Sequence, residues 1–286
     1  MPNIEFSDKF IAFIDVLGFK KLVEAAEAGN DQVLNEVLDV LTDFGSAEYR
    51  KRFEVTGPKI CPQSSCLQRS LDFRATHISD CLVVSSEVSP AGVINLVHHC
   101  WAVVLYFLQK GVMCRGHITR GQIFHTDTQF VGTGYQKAYE NEAKVAAFKR
   151  EADERGTPFV EVDREVCEYV ATNGDWCVKE MFSRFAKGDG EVVALFPFQR
   201  LSHSFIIGDY GGHKFDPAEE KRANNNVRSW LLEMKERVLA LVDKSNPSAV
   251  RKAEHYIKAL DAQLAVCNST DEFLVRLTSR FPFPHR

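Results

Sequence analysis

A short apolar run, FIAFIDVLGF, spans Phe10 to Phe19 and is the most informative stretch near the start of the chain. It is rich in β-branched and aromatic residues and is short enough to be a buried strand. Alternate side chains of a strand point to opposite faces, and on one face the series ends at Asp15. Gly18 follows, where the backbone can turn close to a ligand. The pattern therefore predicts a buried strand that ends in a carboxylate and a turn.

Asp15 has two interpretations from this run alone. An unpaired buried carboxylate is costly, so something must compensate its charge. A divalent cation would do so, because carboxylate oxygens are the preferred ligands of such ions. Asp15 would otherwise cap the helix predicted to follow, as aspartate often does.

A second patterned stretch, LDFRATHISDCLVVSSE, runs from Leu71 to Glu87. Apolar and polar residues alternate as far as Ile78, and a buried run begins at Leu82. The pattern predicts two strands joined tightly at Ser79–Asp80. Asp80 is then a second carboxylate at a strand end, although aspartate is also an ordinary turn residue.

The rest of the chain is predicted to be mainly helical, with a few further strands. Helices are predicted over 20–28, from 30 onward, and over 90–110, 135–150, 164–171, 216–242, 247–267 and 269–281. Strands are predicted over 112–124, as two strands broken at Arg120–Gly121, and over 159–162, 192–197 and 204–209. Because hairpins and crossovers mix, we expect an α+β fold with a ferredoxin-like split βαβ sheet. The predicted domains are a core over 1–211 and an all-helical C-terminal appendage over 212–286.

Composition narrows the functional classes. The 286 residues carry a net charge of −4 and contain no basic run, so nucleic-acid binding is not expected. No stretch approaches the roughly 20 apolar residues of a membrane span, and the first residues do not have the pattern of a signal peptide. We therefore expect a cytoplasmic protein without a membrane partner. The eight cysteines form no CxxC pair, so neither a zinc site nor a disulfide framework is predicted.

Three motifs, in this order, resemble those of class III nucleotidyl cyclases: FIDVLGF at 13–19, ISDCLVV at 78–84 and RGHITRG at 115–121. The resemblance covers about residues 8 to 165 and is more distant up to about 210. Within that superfamily the chain looks most like the stand-alone PycC cyclases of the Pycsar antiphage systems. These enzymes convert UTP to cyclic UMP or CTP to cyclic CMP. The resemblance thus implies a cyclase core and a pyrimidine nucleoside triphosphate as substrate.

The resemblance also implies roles for the matched residues. Asp15 and Asp80 would be the catalytic metal ligands and hold two Mg²⁺ or Mn²⁺ ions, with the backbone carbonyl of Val16 completing one shell. Such ions lower the pKa of the ribose 3′-hydroxyl and hold the phosphates during attack on the α-phosphorus. The residues implied to border the substrate are Phe13, Gly18 and Phe19.

The chain departs from the family in the helix that normally carries an Asn and an Arg. Here Gln136 falls near the Asn position, where it would bind substrate, and Glu140 falls near the Arg position. The transition-state cation must then come from elsewhere. The candidates are Arg74, Arg115, Arg120 and Lys137.

Two residues bear on the choice of base. Purine cyclases carry a Lys or Glu where this chain has Thr76, which is compatible with a pyrimidine. Tyr49 would narrow a base pocket, or would be an ordinary surface tyrosine. UTP is favoured by resemblance, and CTP and purine nucleotides are the alternatives.

The superfamily builds its active sites across a homodimer interface, so a symmetric homodimer with two sites is expected. We expect no effector domain to be fused to the core. A cyclase would therefore act through a diffusible product and a separate cyclic-nucleotide receptor or effector. The non-enzymatic alternative is a nucleotide-binding sensor, which the departures from the Asn and Arg pattern would favour.

Overall fold

The computed structural model describes residues 4–45, 60, 64–68, 70–198 and 216–280 of the chain. Tyr49 and the predicted strand at 204–209 lie outside the described residues. Among the residues described, strands and helices alternate irregularly, as the mixed pattern of the sequence predicts.

The secondary structure has the following bounds. The strands are β1 (Ser7–Val16), β2 (Phe73–Ile78), β3 (Cys81–Glu87), β4 (Cys114–His125), β5 (Phe130–Val131), β6 (Val160–Val162), β7 (Ala186–Gly188) and β8 (Val193–Leu195). The helices are α1 (Phe19–Glu27), α2 (Gln32–Gly45), α3 (Pro90–Gln109), α4 (Thr133–Glu142), α5 (Arg164–Asn173), α6 (Trp176–Phe185), α7 (Pro217–Leu241) and α8 (Pro247–Arg280).

These strands form one mixed sheet with the order β2-β3-β1-β4-β6-β8-β7, and β5 pairs with the end of β4. The pairing of β4 with β6 is parallel, and the other pairings are antiparallel. The first four strands and the helices between them follow a β-α-α-β-β-α-β order in which β1 lies between β3 and β4. The fold is α+β, as predicted, and β1 is a central strand.

The two faces of the sheet are covered differently. On one, the core face, residues such as Phe10, Ala12 and Ile14 pack into a large apolar cluster with α2, α3 and α5. On the other, the α4 face, a small cluster that includes Ile11 and Phe13 lies beneath α4. Since alternate residues of β1 face opposite sides, Asp15 lies on the α4 face.

The C-terminal helices α7 and α8 pack against each other and against the rest of the protein. Tyr256 of α8 is fully buried, and its ring stacks on Phe159 with 5.0 Å between centroids. Leu231 and Met234 of α7 belong to the same apolar cluster as the core face of the sheet. The helices of the predicted C-terminal appendage therefore contribute to the same core as the sheet.

Helix α3 is the one helix in the described part of the chain that is long and apolar enough to cross a membrane. Its most apolar window is 89% buried inside the protein. That degree of burial is typical of a core helix. Ser89 caps the helix by accepting a hydrogen bond from the Gly92 amide at 2.9 Å, as the Ser-Pro start predicts.

The predicted break at Arg120–Gly121 is wrong, because β4 is one continuous strand. Gly121 stays in the ladder and pairs with Lys9 of β1. A Cβ atom on Gly121 would lie 2.8 Å from the Cα atom of Gly134 in α4. The glycine thus permits close approach of a helix rather than a turn.

The predicted helix at 135–150 is too long, since α4 ends at Glu142. The apolar residues beyond it, among them Val145 and Ala147, are buried in a loop instead. Helix α6 and strand β7 lie where no element was predicted. Asp163 does not cap α5 with its side chain but accepts a hydrogen bond from the Thr119 hydroxyl at 2.8 Å.

The predicted division into two helices near Ser269 is also wrong, because α8 runs unbroken from Pro247 to Arg280. The polar residues that suggested a helix start have other partners. Thr270 donates to the Val266 carbonyl at 2.9 Å, and Asp271 accepts from the Asn224 side chain at 2.8 Å. These bonds hold α8 to itself and to α7.

Candidate metal centre at the end of the first strand

Asp15 and Asp80 lie side by side, although 65 positions separate them in the sequence. Asp15 pairs with Cys81 in the β1–β3 ladder, and this register puts the hairpin tip at the end of β1. The Val16 amide donates to the Asp80 carbonyl at 3.1 Å and so fixes the tip. Ser79 makes the turn with φ of 55°. The predicted strand and hairpin therefore bring the two carboxylates together.

Cys81 completes a cluster of three side chains with the two aspartates. One carboxylate oxygen from each aspartate and the Cys81 Sγ atom all lie within 4.8 Å of one another. The Sγ atom is 3.5 Å from an Asp15 oxygen and 3.6 Å from an Asp80 oxygen. Burial and the neighbouring carboxylates raise the pKa of this thiol far above its usual value. Without a bound metal, the Cys81 thiol is therefore a protonated donor to the two carboxylates.

The Asp15 carboxyl is held in an environment that disfavours its negative charge. Burial, with repulsion from Glu142 and Asp80, raises its pKa to about 6, against opposing effects of Cys81 and Arg115. A divalent cation between Asp15 and Asp80 would remove the repulsion between them. Two carboxylates are the donor set that Mg²⁺ and Mn²⁺ prefer, so the residues present fit such ions.

Arg115 and Glu142 form an ion pair next to Asp15. Arg115 is the β4 residue opposite Asp15, and Glu142 is the last residue of α4. The Arg115 Nε atom donates to a Glu142 carboxylate oxygen, and both side chains are largely buried. Asp15 is thus flanked by a guanidinium group that already has one anionic partner.

Gly18 and Phe19 follow Asp15 at the start of α1. Gly18 is the N-cap residue, has φ of 81° and is exposed. A Cβ atom there would meet nothing within 4 Å, so this position needs a glycine for its backbone conformation alone. Phe19 packs its ring partly against the core. Its backbone, not its side chain, is therefore the part next to the turn.

Three other residues predicted to contact the substrate are either buried under neighbouring side chains or lie away from the two carboxylates. Phe13 is 3% exposed, and its ring contacts Tyr135 and Tyr139 of α4. Thr76 is buried, and its hydroxyl donates to the Thr126 carbonyl at 3.1 Å. Gln136 is exposed on α4. Within one chain, the structure therefore groups Asp15, Asp80, Val16, Gly18 and the Phe19 backbone, and leaves these three outside.

The predicted transition-state cations are mostly engaged elsewhere. Arg74 pairs with Asp127 at 3.1 Å, and Arg120 pairs with Asp8 at 2.7 Å. Lys137 pairs with Asp163 at 2.7 Å. Of the four candidates, Arg115 is the one whose charge acts on Asp15.

One cation that no motif indicated also faces this region. Lys252 of α8 feels the charges of Arg115, Glu142 and Asp15, and burial lowers its pKa. It lies 237 positions after Asp15 in a helix that reads as an ordinary polar and apolar pattern. Strand register and helix packing bring three further side chains to the site: Cys81, Glu142 and Lys252. Of these, only Cys81 could have been expected there from the sequence, because it is the neighbour of Asp80.

Comparison of the chain with protein-family models and with curated proteins finds no match. The geometry of the site and the short motifs that mark it are therefore the observations that bear on function.

Proposed function

We propose that the protein is a nucleotidyl cyclase that converts UTP to 3′,5′-cyclic UMP and pyrophosphate. One observation carries the proposal: the end of β1 and the tip of the β2–β3 hairpin bring Asp15 and Asp80 into one cluster. The cyclase motifs required these two residues to meet. The β-α-α-β-β-α-β order of the first four strands and their helices, with β1 between β3 and β4, also supports a cyclase core.

In this proposal Asp15 and Asp80 would hold two Mg²⁺ or Mn²⁺ ions, and the Val16 carbonyl would be a further ligand to one of them. The bound ions would acidify the ribose 3′-hydroxyl and neutralise the phosphates. The 3′-oxygen attacks the α-phosphorus, the bond to the bridging oxygen breaks, and pyrophosphate leaves. The turn at Gly18 and the Phe19 backbone border the phosphates. Arg115 stands beside the reacting centre, oriented by Glu142.

The base assignment rests on the missing charged reader at Thr76. Its hydroxyl is bonded to the backbone at Thr126 and lies 3.1 Å from His125 Nε2, so it presents no charge to a purine. A pyrimidine, with UTP ahead of CTP, is our proposal. The product would be a second messenger in antiphage defence that acts on a separate receptor.

A symmetric homodimer is part of the proposal. Ile78, Val131 and Tyr139 are large apolar side chains that are 46 to 56% exposed. Tyr139 belongs to α4. Ala75 of β2 points to the core face. Since successive residues of a strand point to opposite faces, Ile78 points to the α4 face. A partner chain on this face would cover them and bring its own α4, with Gln136, towards the carboxylates.

The test is a product assay. The purified chain is incubated with ATP, GTP, CTP or UTP and Mn²⁺, and products are identified by mass spectrometry. Asp15→Asn and Asp80→Asn are the test variants, and Asp39→Asn, an exposed carboxylate of α2, is the matched control. Cyclic UMP from the wild type and the control alone supports the proposal. Cyclic AMP or GMP would overturn the choice of base, and equal activity in all variants would overturn the site.

A nucleotide sensor is the second candidate. It is favoured by the exposed Glu140, an anion where the family has its transition-state Arg. A sensor would bind nucleoside triphosphate and Mg²⁺ but release no pyrophosphate. Equilibrium binding measured beside the product assay separates the two functions.

A further inference from the structure

A cavity of about 350 Å³ lies beside the candidate metal centre, between the turn at Gly18 and the C-terminal helices. Leu17, Gly18 and Lys20 line one wall, and Asn246, Ser248 and Lys252 line another. The volume is within the roughly 300 to 1,000 Å³ of small-ligand sites. Leu17, two residues after Asp15, already lines the cavity, so a ligand that reaches the centre can extend into it.

The cavity carries more positive than negative charge. Lys20, Lys21 and Lys252 line it, and Asp243 is the one acidic residue in its lining. Asp243 is already paired with Lys21 across the cavity edge. Lys20 is exposed and pairs with Glu24 of its own helix at 3.7 Å, which leaves Lys252 as the lining cation that favours an anionic ligand.

The position of Lys252 is fixed by the packing of α8. Its neighbour Ala253 and, one turn on, Tyr256 are buried in the core. Arg251 and His255 both contact Glu154, at 2.6 and 2.8 Å. These contacts anchor both sides of the turn that carries Lys252, which also lines the adjoining cavity beside Gly156.

Lys252 forms no ion pair with any carboxylate in the described ranges, whereas most partly buried cations nearby do. Arg115 is paired with Glu142, and Lys21 with Asp243. A partly buried ammonium without a fixed partner is costly, and a ligand anion would supply one. Lys252 is thus a cation held in place without an assigned partner.

We propose that Lys252 binds the terminal phosphates of the substrate, so that the C-terminal helices form one wall of the active site in the same chain. The inference rests on the proposed nucleotide function, because a triphosphate is the anion that would reach from Asp15 and Asp80 into this cavity.

The test measures binding of inorganic tripolyphosphate, in the presence of Mg²⁺, by calorimetry on the full chain. Lys252→Met keeps the apolar stem and removes the charge. Lys258→Met, an exposed lysine of the same helix, is the matched control. We expect Lys252→Met to weaken binding at least about tenfold, as for loss of one charge-assisted contact, and Lys252→Arg to recover most of it. Lys258→Met should bind like the wild type.

A second readout separates phosphate binding from a structural role. Mn²⁺ binding without phosphate should be unchanged or tighter in Lys252→Met, because a cation near Asp15 is removed. If Lys252 only stabilised the fold, Lys252→Met would lower the melting temperature and leave tripolyphosphate affinity unchanged, which would overturn the inference. No tripolyphosphate binding by the wild type would overturn it too.

The inference and the proposed function can fail separately. Binding that depends on Lys252, in a protein that makes no cyclic nucleotide, would keep the phosphate site and reject the cyclase. If wild type and Lys252→Met both formed cyclic UMP and bound UTP with the same affinity, the cyclase would stand and the role of Lys252 would be rejected.

Discussion

The two faces of β1 use the same strand for different purposes. The even-numbered residues from Phe10 to Val16 are at most 2% exposed and pack into the large apolar cluster. The odd-numbered residues from Ile11 onward lie beneath the short helix α4, and the last of them is Asp15, whose pKa is raised. The core face favours stability and the α4 face tolerates an unfavourable charge, so the fold separates the requirements of packing from those of chemistry.

Loss of either carboxylate should have the largest effect. Asp15→Asn or Asp80→Asn should reduce cyclic nucleotide formation by about a thousandfold or more, because the phosphate charge is then poorly neutralised. The melting temperature of the metal-free variants should not fall. Activity is followed by mass spectrometry and folding by circular dichroism. A variant that unfolds would show that these carboxylates serve the fold instead.

The core face should respond in the opposite way. Phe10 is fully buried, and its ring lies 5.0 Å from that of Tyr169. Phe10→Ala should lower the free energy of unfolding by about 3 to 5 kcal/mol, as for other large-to-small core changes. Urea denaturation gives the value. If Phe10→Ala cost less than about 1 kcal/mol, the two faces would not differ as we describe.

Two glycines distinguish close packing from backbone conformation. Gly121→Ala places a methyl group against Gly134 and should destabilise the protein by about 1 to 3 kcal/mol as α4 is pushed from β4. Gly18→Ala has open space and should cost only about 1 to 2 kcal/mol, from its positive φ. Thermal unfolding of both variants tests this order. An equal or larger loss for Gly18→Ala would show that the turn is more tightly packed than the structure indicates.

The pKa of Asp15 predicts a smaller, pH-dependent effect. Its value of about 6 lies above the ordinary 3.8, so the folded state binds a proton more tightly than the unfolded chain. Without metal, the free energy of unfolding should therefore fall as the pH rises from about 4 to about 6. Asp15→Asn should remove this fall and add about 1 to 2 kcal/mol at pH 7, after allowance for solvent screening. Unfolding at several pH values measures it, and an unchanged slope in Asp15→Asn would assign the dependence to another group.

How far the sequence predicts this structure depends on whether a residue acts locally. The strand that ends at Asp15, the hairpin tip at Asp80 and the capped start at Ser89 follow from local pattern, and all three are confirmed. Gly121 was misread because its contact with Gly134 exists only once α4 lies on the sheet. Glu142 could not be assigned, since its partner Arg115 is distant in sequence.

The same distinction applies to the site. Asp15 and Asp80 each sit in a recognisable local motif, and the register of β1 with β3 brings them together. Phe13 and Thr76 also sit in such motifs, but their side chains are buried by α4 and by the loop after β4. Lys252 has no local signal at all, because its role arises from how α8 packs. Tertiary packing thus removes some of the site residues that the sequence predicts and adds others that it does not.

The most direct test of the central claim is whether Asp15 and Asp80 act as one metal centre. Mn²⁺ binding, followed by electron paramagnetic resonance at pH 7, is measured for the wild type, Asp15→Asn, Asp80→Asn and the double variant. If the two carboxylates share an ion, each single change should weaken binding nearly as much as both together, with strong coupling in the double-mutant cycle. Effects that simply add, or Mn²⁺ binding that survives in the double variant, would contradict the account.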